Sequence, residues 1–187
     1  MRNVVLAITV AVAAVSCNAV AQTESPRHGT DLAGPAAPVS SKPSAQTDDL
    51  VGTWRLVSTS ATTPAGEKNT APFGSNPKGV LIYTRDGRMS VIISYGGRKP
   101  LSGADRIASP ADEKAAAFDT CLAYAGRYSF AGGKVTHHVE VSTVENWVNT
   151  DLVRLARLKG DQLTLVTPPL SVGGAMRTTE LVWERIK

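Results

Sequence analysis

Three pairs of turn-forming residues constrain the fold of this chain more than any other feature. They are Asp86-Gly87, Gly132-Gly133 and Gly160-Asp161. Each pair lies between two segments with alternating or continuous apolar residues, and such pairs supply the positive φ angles that tight hairpin turns require. The sequence therefore predicts three antiparallel β-hairpins. Their predicted strands are residues 79–85 with 88–94, 126–131 with 134–142, and 150–159 with 162–167.

Two further strands and one helix complete the predicted fold. A strand over 50–57 precedes the hairpins and a last one covers about 178–186, which makes roughly eight strands in sequential order. Ser109 as N-cap and Pro110 in the first turn indicate a helix that begins there and ends before Gly126. Cys121 falls inside it, where we expect a buried small side chain. We predict an all-β protein, an eight-stranded up-and-down antiparallel barrel with one inserted α-helix. A β-sandwich is the alternative, although Greek-key sandwiches need long return connections.

The N-terminal region has the composition of a targeting segment followed by a tether. Arg2, the apolar stretch 4–15 and the small residues Ala19 and Ala21 predict a signal peptide over residues 1–21. That stretch is shorter than the roughly 20 residues of a membrane span, so we expect no stable membrane insertion. Residues 22–47 are rich in Pro, Ser and Ala and predict a disordered tether. The barrel domain would cover 48–187, in a protein exported to the periplasm or secreted, with lipid attachment at Cys17 as a lesser alternative.

Composition excludes several function classes. The isoelectric point is about 9.2, yet the basic residues are scattered and no Lys/Arg cluster contains interleaved aromatic residues. We therefore expect no nucleic-acid partner. No nucleophile elbow, phosphate-binding loop or dinucleotide-binding motif is present in the sequence, and we predict no cofactor.

Strand register separates the two adjacent histidines of the second hairpin. A two-residue loop at Gly132-Gly133 pairs Tyr128 with His137 and Arg127 with His138. Because strand side chains alternate, His137 shares one face with Val135, Val139, Val141 and Phe130, which we assign to the barrel interior. His138 shares the outer face with Glu140. We expect this outer pair to form a polar stripe with a His–Glu hydrogen bond. The pair could hold a metal ion only with a third ligand, and no other His, Cys or acid has a recognisable metal-binding spacing, so we predict no metal site.

The other hairpins predict their own inward faces. In the third, Arg154 shares a face with Leu158, Leu163 and Leu165. A buried unpaired charge is costly, so Arg154 would bind an anionic ligand or form an ion pair with an acid such as Glu180 or Glu184. In the first hairpin, the inward candidates are Val80, Ile82, Thr84, Met89, Val91 and Ile93.

Four passages give the chain a family resemblance. They are residues 50–56, 79–90, 135–140 and 146–150. Gly52 and Trp54 are similar to the Gly-x-Trp signature of lipocalins, and Arg185 resembles the arginine that packs across that tryptophan. Together the passages resemble the bacterial and fungal lipocalin-like domain family. The resemblance implies an eight-stranded barrel with a ligand-sized interior, and it implies no particular reaction. Asn149 stands where the pattern leads us to expect glycine, but asparagine also tolerates left-handed backbone angles.

Our first functional hypothesis is a barrel that binds a small hydrophobic or amphipathic ligand, which would be anionic if Arg154 contacts it. His137, Tyr128 and Arg154 would orient its polar end. Trp147 would act as a lid over the barrel or as a staple packed on it, and Trp54 as a structural plug at the floor. For His137, the simpler alternative is a core histidine satisfied by Tyr128 or a backbone group.

Two hypotheses from other classes remain open at this point. The protein would be an isomerase or cyclase if His137 moved a substrate proton with Tyr128 as donor. It would be a protein-interaction module if the barrel were solid and the outer face around His138 and Glu140 met a partner. The size of the interior cavity discriminates the last hypothesis from the other two.

Overall fold

A computed structural model describes residues 45–187 of the chain. The predicted signal peptide, Cys17 and most of the predicted tether lie outside these residues. Two helices are present, α1 (Ala45–Leu50) and α2 (Ala111–Asp119), with a 3₁₀ turn at Glu145–Trp147. The strands are β1 (Gly52–Thr62), β2 (Lys68–Asn69), β3 (Lys78–Tyr83), β4 (Arg88–Ser94), β5 (Cys121–Ala131), β6 (Lys134–Ser142), β7 (Asp151–Lys159), β8 (Gln162–Val166), β9 (Leu170–Val172) and β10 (Ala175–Arg185).

Eight of these strands close into a barrel. The sheet order is β2-β1-β3-β4-β5-β6-β7-β8-β10-β9, and β1 also pairs with β10. Every pairing is antiparallel, so the barrel consists of β1, β3 to β8 and β10 in up-and-down order. The two-residue β2 and three-residue β9 extend its rim. The predicted all-β barrel is confirmed, as is the predicted register of the second hairpin.

Helix α1 and the lipocalin-type signature residues close one end of the barrel. Trp54 is fully buried, and its Nε1 donates to the carbonyl oxygen of Leu50 at 2.9 Å. The guanidinium of Arg185 lies 4.1 Å from the centre of the Trp54 ring and donates to the Val51 and Asp49 carbonyl oxygens. Gly52 has a φ of 143°, and a Cβ there would lie 2.6 Å from Arg185 Nη1. A side chain at position 52 would therefore displace this guanidinium, and the φ of 143° is one that residues other than glycine rarely adopt.

The strand register of the first hairpin differs from the predicted register by one residue. Its connection holds residues 84–87, and Tyr83 pairs with Met89, whereas a two-residue loop would pair Thr84 with Met89. Gly87 adopts a φ of 80°, and Thr84 N donates to Arg88 O at 2.9 Å. A shift of one residue turns a strand over. On β4, Met89, Val91 and Ile93 point inward as predicted; on β3 the prediction was wrong, because Leu81 and Tyr83 are buried while Val80 and Ile82 are exposed.

The predicted helix is too long. Helix α2 ends at Asp119, and the following residues form the first half of β5, since β4 pairs with β5 from Ser94–Cys121 to Arg88–Arg127. Backbone pairing with β4 therefore outweighs the helical pattern that the sequence suggested. Cys121 is half-buried on this strand and not inside a helix. Ser109 does not cap α2, because its hydroxyl donates to Asp105 O at 2.9 Å and Pro110 occupies the N-cap.

A β-bulge explains why Val141 is not in the interior. Val139 pairs with Gly126 and Val141 with Ala125, so Glu140 is the extra residue of β6. A Cβ on Gly126 would lie 2.0 Å from the carbonyl oxygen of His138, so the close approach of the two strands requires glycine. The bulge reverses the alternation beyond it, and Val141 is 63% exposed.

Within residues 45–187, no helix is long and apolar enough to cross a membrane.

Candidate functional site

A cavity of about 530 Å³ lies inside the barrel. Each of the eight barrel strands contributes at least one side chain to its lining. The eight examples, in chain order, are Ala61, Leu81, Val91, Tyr124, His137, Arg154, Leu165 and Leu181. At the end opposite the three hairpin turns, the lining also includes Phe118 from α2 and two loop residues, Phe73 and Trp147. The cavity is therefore largely apolar, with a few polar groups from neighbouring strands.

His137 is a deeply buried polar residue of this cavity wall. It is 2% exposed, and both ring nitrogens have tyrosine partners: Nε2 lies 2.6 Å from Tyr83 Oη, and Nδ1 lies 2.9 Å from Tyr124 Oη. Burial, and secondarily the positive charge of Arg154, lowers the pKa of His137 to about 3. The imidazole is thus neutral near pH 7, with one nitrogen donating and the other accepting.

Burial also keeps the two tyrosine partners neutral. It raises the pKa of Tyr83 well above its usual value and raises that of Tyr124 as well. The charge of Arg154 acts in the opposite direction on both hydroxyls but is the weaker effect. The Tyr83–His137–Tyr124 chain is therefore an uncharged hydrogen-bonded network.

Sequence reasoning missed both tyrosines that hold His137. The predicted register of the first hairpin puts Tyr83 on the outer face, and the predicted helix includes Tyr124. The missed signal for Tyr124 was the alternation of small and large side chains along 121–125, which suits a strand.

Tyr128 lies close to this network but plays a different part from the predicted one. It pairs with His137 across β5 and β6, as predicted. Its hydroxyl, however, donates to the carbonyl oxygen of Thr84 at 3.0 Å, and its ring lies 4.6 Å from that of Tyr83. The cavity lining does not include Tyr128.

Arg154 brings a positive charge to the cavity wall. Its residue exposure is 8%, and its Nη1 donates to the carbonyl oxygen of Val153 at 2.9 Å. No carboxylate of the described residues forms an ion pair with it; Glu184, one of the two expected partners, pairs with Arg55 instead. Asp119 also lines the cavity, at the loop end, but it is exposed and does not pair with Arg154.

Trp147 lines the cavity from the 3₁₀ turn between β6 and β7. It is half-buried, and its ring meets that of Tyr124 edge-on, with the centroids 5.9 Å apart. This contact links the loop end of the barrel to the tyrosine that binds His137.

The outer face of β6 carries a separate polar network. His138 Nδ1 lies 2.7 Å from Asp151 Oδ1, and its Nε2 lies 3.0 Å from Ser129 Oγ. Glu140 instead pairs with Arg88 at 2.8 Å and Arg127 at 3.4 Å. The predicted His138–Glu140 hydrogen bond was therefore wrong, because the bulge separates the two side chains and each has a nearer partner.

This outer network has the connectivity of an acid, a base and a nucleophile, but its surroundings differ from those of a catalytic site. None of Ser129, His138 and Asp151 lines the cavity, and the side chains of His138 and Asp151 are 41% and 61% exposed. No group of three or more potential metal ligands occurs among residues 45–187.

The match to a protein family agrees with this architecture. The lipocalin-like domain family matches residues 51–186. The 4'-hydroxy-3'-methoxypropiophenone carrier protein ppsC of Aspergillus oryzae is 33% identical over 101 residues, which is 49% of this chain and 86% of that protein. A lipocalin-like protein of Bacteroides uniformis aligns with a TM-score of 0.40 at 14% identity, over 74% of this chain and 99% of that one. An uncharacterized protein of Bacteroides eggerthii aligns with a TM-score of 0.38 at 11% identity, over 73% and 99%. The family match extends over nearly the whole described barrel, and the chain therefore belongs to the lipocalin-like domain family.

Proposed function

We propose that this protein is a carrier that binds a small, partly apolar ligand inside the barrel, and that Arg154 binds an anionic group of that ligand. The observation that carries the proposal is a buried guanidinium with no carboxylate partner among the described residues, in the wall of a 530 Å³ cavity. Apolar walls would provide most of the affinity, and the arginine would orient the polar end.

The charge of Arg154 supports an anionic ligand. A buried charge is costly unless an opposite charge and hydrogen bonds compensate it. The neighbouring His137, Tyr83 and Tyr124 are all neutral near pH 7 and supply no negative charge to balance it. A guanidinium offers a planar fork of donors that fits a carboxylate or similar oxyanion in a bidentate manner.

The Aspergillus relative supports the carrier part of the proposal. Its name describes a carrier of 4'-hydroxy-3'-methoxypropiophenone, a compound that combines an aromatic ring with polar oxygen atoms. A ligand of this general type suits a cavity with apolar walls and a few hydrogen-bond donors. The ligand of the present chain would be a small molecule of the same broad class.

A titration with matched probes tests the role of Arg154. The probes are 2-naphthoate and the uncharged 2-naphthamide, which have similar shapes, and binding is measured by calorimetry at pH 7. We expect wild type to prefer the anion by at least about tenfold, since a charge-assisted hydrogen bond is worth roughly twice a neutral one. Arg154→Met should lose that preference.

Arg157 provides the matched control. It lies on the same strand, β7, but its side chain is exposed. Arg157→Met should therefore keep the preference for 2-naphthoate. The same preference in Arg154→Met as in wild type would contradict the proposed contact with an anion.

The structure favours the carrier over the two other hypotheses. Both nitrogens of His137 are occupied and its pKa is about 3, whereas a general base works best when its pKa is near the working pH. An interaction module would need no interior space, yet the barrel encloses a cavity.

We also propose that the carrier acts after export, in the periplasm or outside the cell. The apolar stretch 4–15 and the cleavage pattern at Ala19-Val20-Ala21 support this. Mass spectrometry of the mature protein should find an N-terminus at Gln22; a retained N-terminus would contradict export by cleavage, and an acylated Cys17 would indicate a lipid anchor instead.

A further inference from the structure

The hydroxyl of Tyr124 lies between two polar side chains of the cavity wall. Tyr124 is 7% exposed and lines the cavity together with His137 and Arg154. Its Oη lies 2.9 Å from His137 Nδ1. Arg154 pairs with Val135, two residues from His137 on β6, and such diagonal neighbours are within reach of long side chains. Burial raises the pKa of Tyr124, and the nearby Arg154 opposes that rise through its charge and its hydrogen-bond donors. The hydroxyl is therefore a neighbour of any anion that Arg154 binds.

The buried hydroxyl of Tyr83 limits how the hydrogen bonds of this network can be directed. Tyr83 is 1% exposed and is absent from the cavity lining. Among residues 45–187, its hydroxyl has one hydrogen-bond partner, His137 Nε2 at 2.6 Å. Because His137 is neutral near pH 7, one ring nitrogen carries a hydrogen and the other accepts one. The position of that ring hydrogen decides which tyrosine donates to the ring and which accepts from it.

Two arrangements satisfy both distances, and they differ in which tyrosine keeps a free hydrogen. With the ring hydrogen on Nε2, Tyr124 donates to Nδ1, and the hydrogen of Tyr83 stays in the core without an acceptor among the described residues. With the ring hydrogen on Nδ1, Tyr83 donates to Nε2, and the hydrogen of Tyr124 stays free beside the cavity. A buried donor without a partner is costly, whereas a donor in a cavity wall can serve whatever occupies the cavity. The arrangement with the hydrogen on Nδ1 is therefore the more stable one.

We propose that the Tyr124 hydroxyl donates a hydrogen bond to the anionic group that Arg154 binds, and that the direction of the hydrogen bonds within the network leaves it free to do so. The inference rests on the carrier function proposed above. The ligand class that fits is a small apolar carboxylate. The two oxygens of a carboxylate offer about four acceptor sites, so one carboxylate can accept from the guanidinium and from the hydroxyl at once.

Tyr124→Phe tests the hydroxyl as a donor, because phenylalanine keeps the ring that meets Trp147 edge-on. Binding of 2-naphthoate and of 2-naphthamide is measured by calorimetry at pH 7. A hydrogen bond to a charged group is stronger than one to a neutral group. We therefore expect the variant to bind 2-naphthoate about 10- to 100-fold more weakly than wild type, and 2-naphthamide less than about 10-fold more weakly. An unchanged affinity for 2-naphthoate would overturn the inference.

Tyr128→Phe is the matched control on the same strand. The hydroxyl of Tyr128 donates to the carbonyl oxygen of Thr84 at 3.0 Å, and the cavity lining does not include this residue. The control variant should therefore bind 2-naphthoate as tightly as wild type. An equal loss of affinity in Tyr128→Phe and Tyr124→Phe would also overturn the inference, because removal of either hydroxyl would then act through the packing of β5.

The position of the ring hydrogen of His137 can be tested without a ligand. Nitrogen NMR of protein labelled with ¹⁵N-histidine distinguishes a ring nitrogen that carries a hydrogen from one that does not. The spectrum of His137→Gln identifies the signals that belong to His137. We expect the hydrogen on Nδ1 at pH 7. A hydrogen on Nε2 would overturn the inference, because Tyr124 would then donate to the ring and not to a ligand.

The outcomes separate this inference from the function on which it rests. If Tyr124→Phe binds 2-naphthoate as tightly as wild type while Arg154→Met does not, the hydroxyl does not bind the anion and the carrier function stands. If wild type shows no preference for 2-naphthoate over 2-naphthamide, the anionic-carrier function fails, and this inference fails with it.

Discussion

His137 and His138 are consecutive residues of the same strand, and they have almost nothing in common. His137 is buried between two tyrosine hydroxyls, and its pKa is lowered to about 3. His138 is 41% exposed by side chain and lies between Ser129 and Asp151 on the outer face. Alternation along β6 separates the two histidines into a core network and a surface network.

The contrast shows that the strand face, not proximity in the chain, determines what a side chain can do here. Inside the barrel, burial favours uncharged groups and makes each hydrogen bond costly to lose. Outside, water can replace any partner that a side chain loses, so polar contacts contribute little. Substitutions at the two positions should therefore have very different effects.

The largest expected effect is on the stability of the core network. His137→Leu leaves the hydroxyls of Tyr83 and Tyr124 without their partner, and each unsatisfied buried group costs about 1–3 kcal/mol. We expect the free energy of unfolding, measured with urea, to fall by about 2–4 kcal/mol.

His138→Leu is the matched control on the neighbouring residue. It removes only exposed contacts to Ser129 and Asp151, and such pairs contribute roughly 0–1 kcal/mol. Losses of similar size in the two variants would show that the inner and outer faces do not differ in how much their polar contacts stabilise the fold.

The second largest effect that we expect is a dependence of the free energy of unfolding on pH. In the unfolded chain a histidine has a pKa near 6.5, whereas folded His137 has a pKa of about 3. Between these values the unfolded state binds a proton that the folded state does not, so stability falls as the pH is lowered. The contribution of His137 amounts to about 1.4 kcal/mol per pH unit within this window.

His137→Gln isolates that contribution, because glutamine retains a donor and an acceptor but does not titrate. As the pH falls from 6.5 toward 3, the unfolding free energy of wild type should fall relative to that of His137→Gln, since surface carboxylates titrate in both proteins. A difference that stays constant across this range would show that folded His137 takes up a proton more easily than its burial implies.

Much of the barrel could be predicted from the sequence because short loops and alternation are local signals. Gly132-Gly133 determined the register of the second hairpin correctly. The first hairpin failed because its turn includes Thr84 and Arg85, and a longer connection shifts the register by one residue. The segment 121–125 failed because its pairing with β4 depends on a contact distant in sequence.

The candidate site was harder to predict than the fold. His137 and Arg154 were correctly predicted to point into the barrel because they lie on strands whose register was correct. The two hydrogen-bond partners of His137 were not predicted, because Tyr83 and Tyr124 lie on the two segments with wrong assignments.

We infer that Arg154 serves a ligand and not the fold. The decisive measurement is the unfolding of Arg154→Met with and without 2-naphthoate. Without a ligand, removal of a buried charge that has no carboxylate partner should leave the free energy of unfolding unchanged or raise it by about 1–2 kcal/mol. With the probe, wild type should be stabilised in proportion to its affinity, and the variant much less. A variant that is several kcal/mol less stable without the probe, and is stabilised by the probe as much as wild type, would show that Arg154 supports the fold and does not bind the anion.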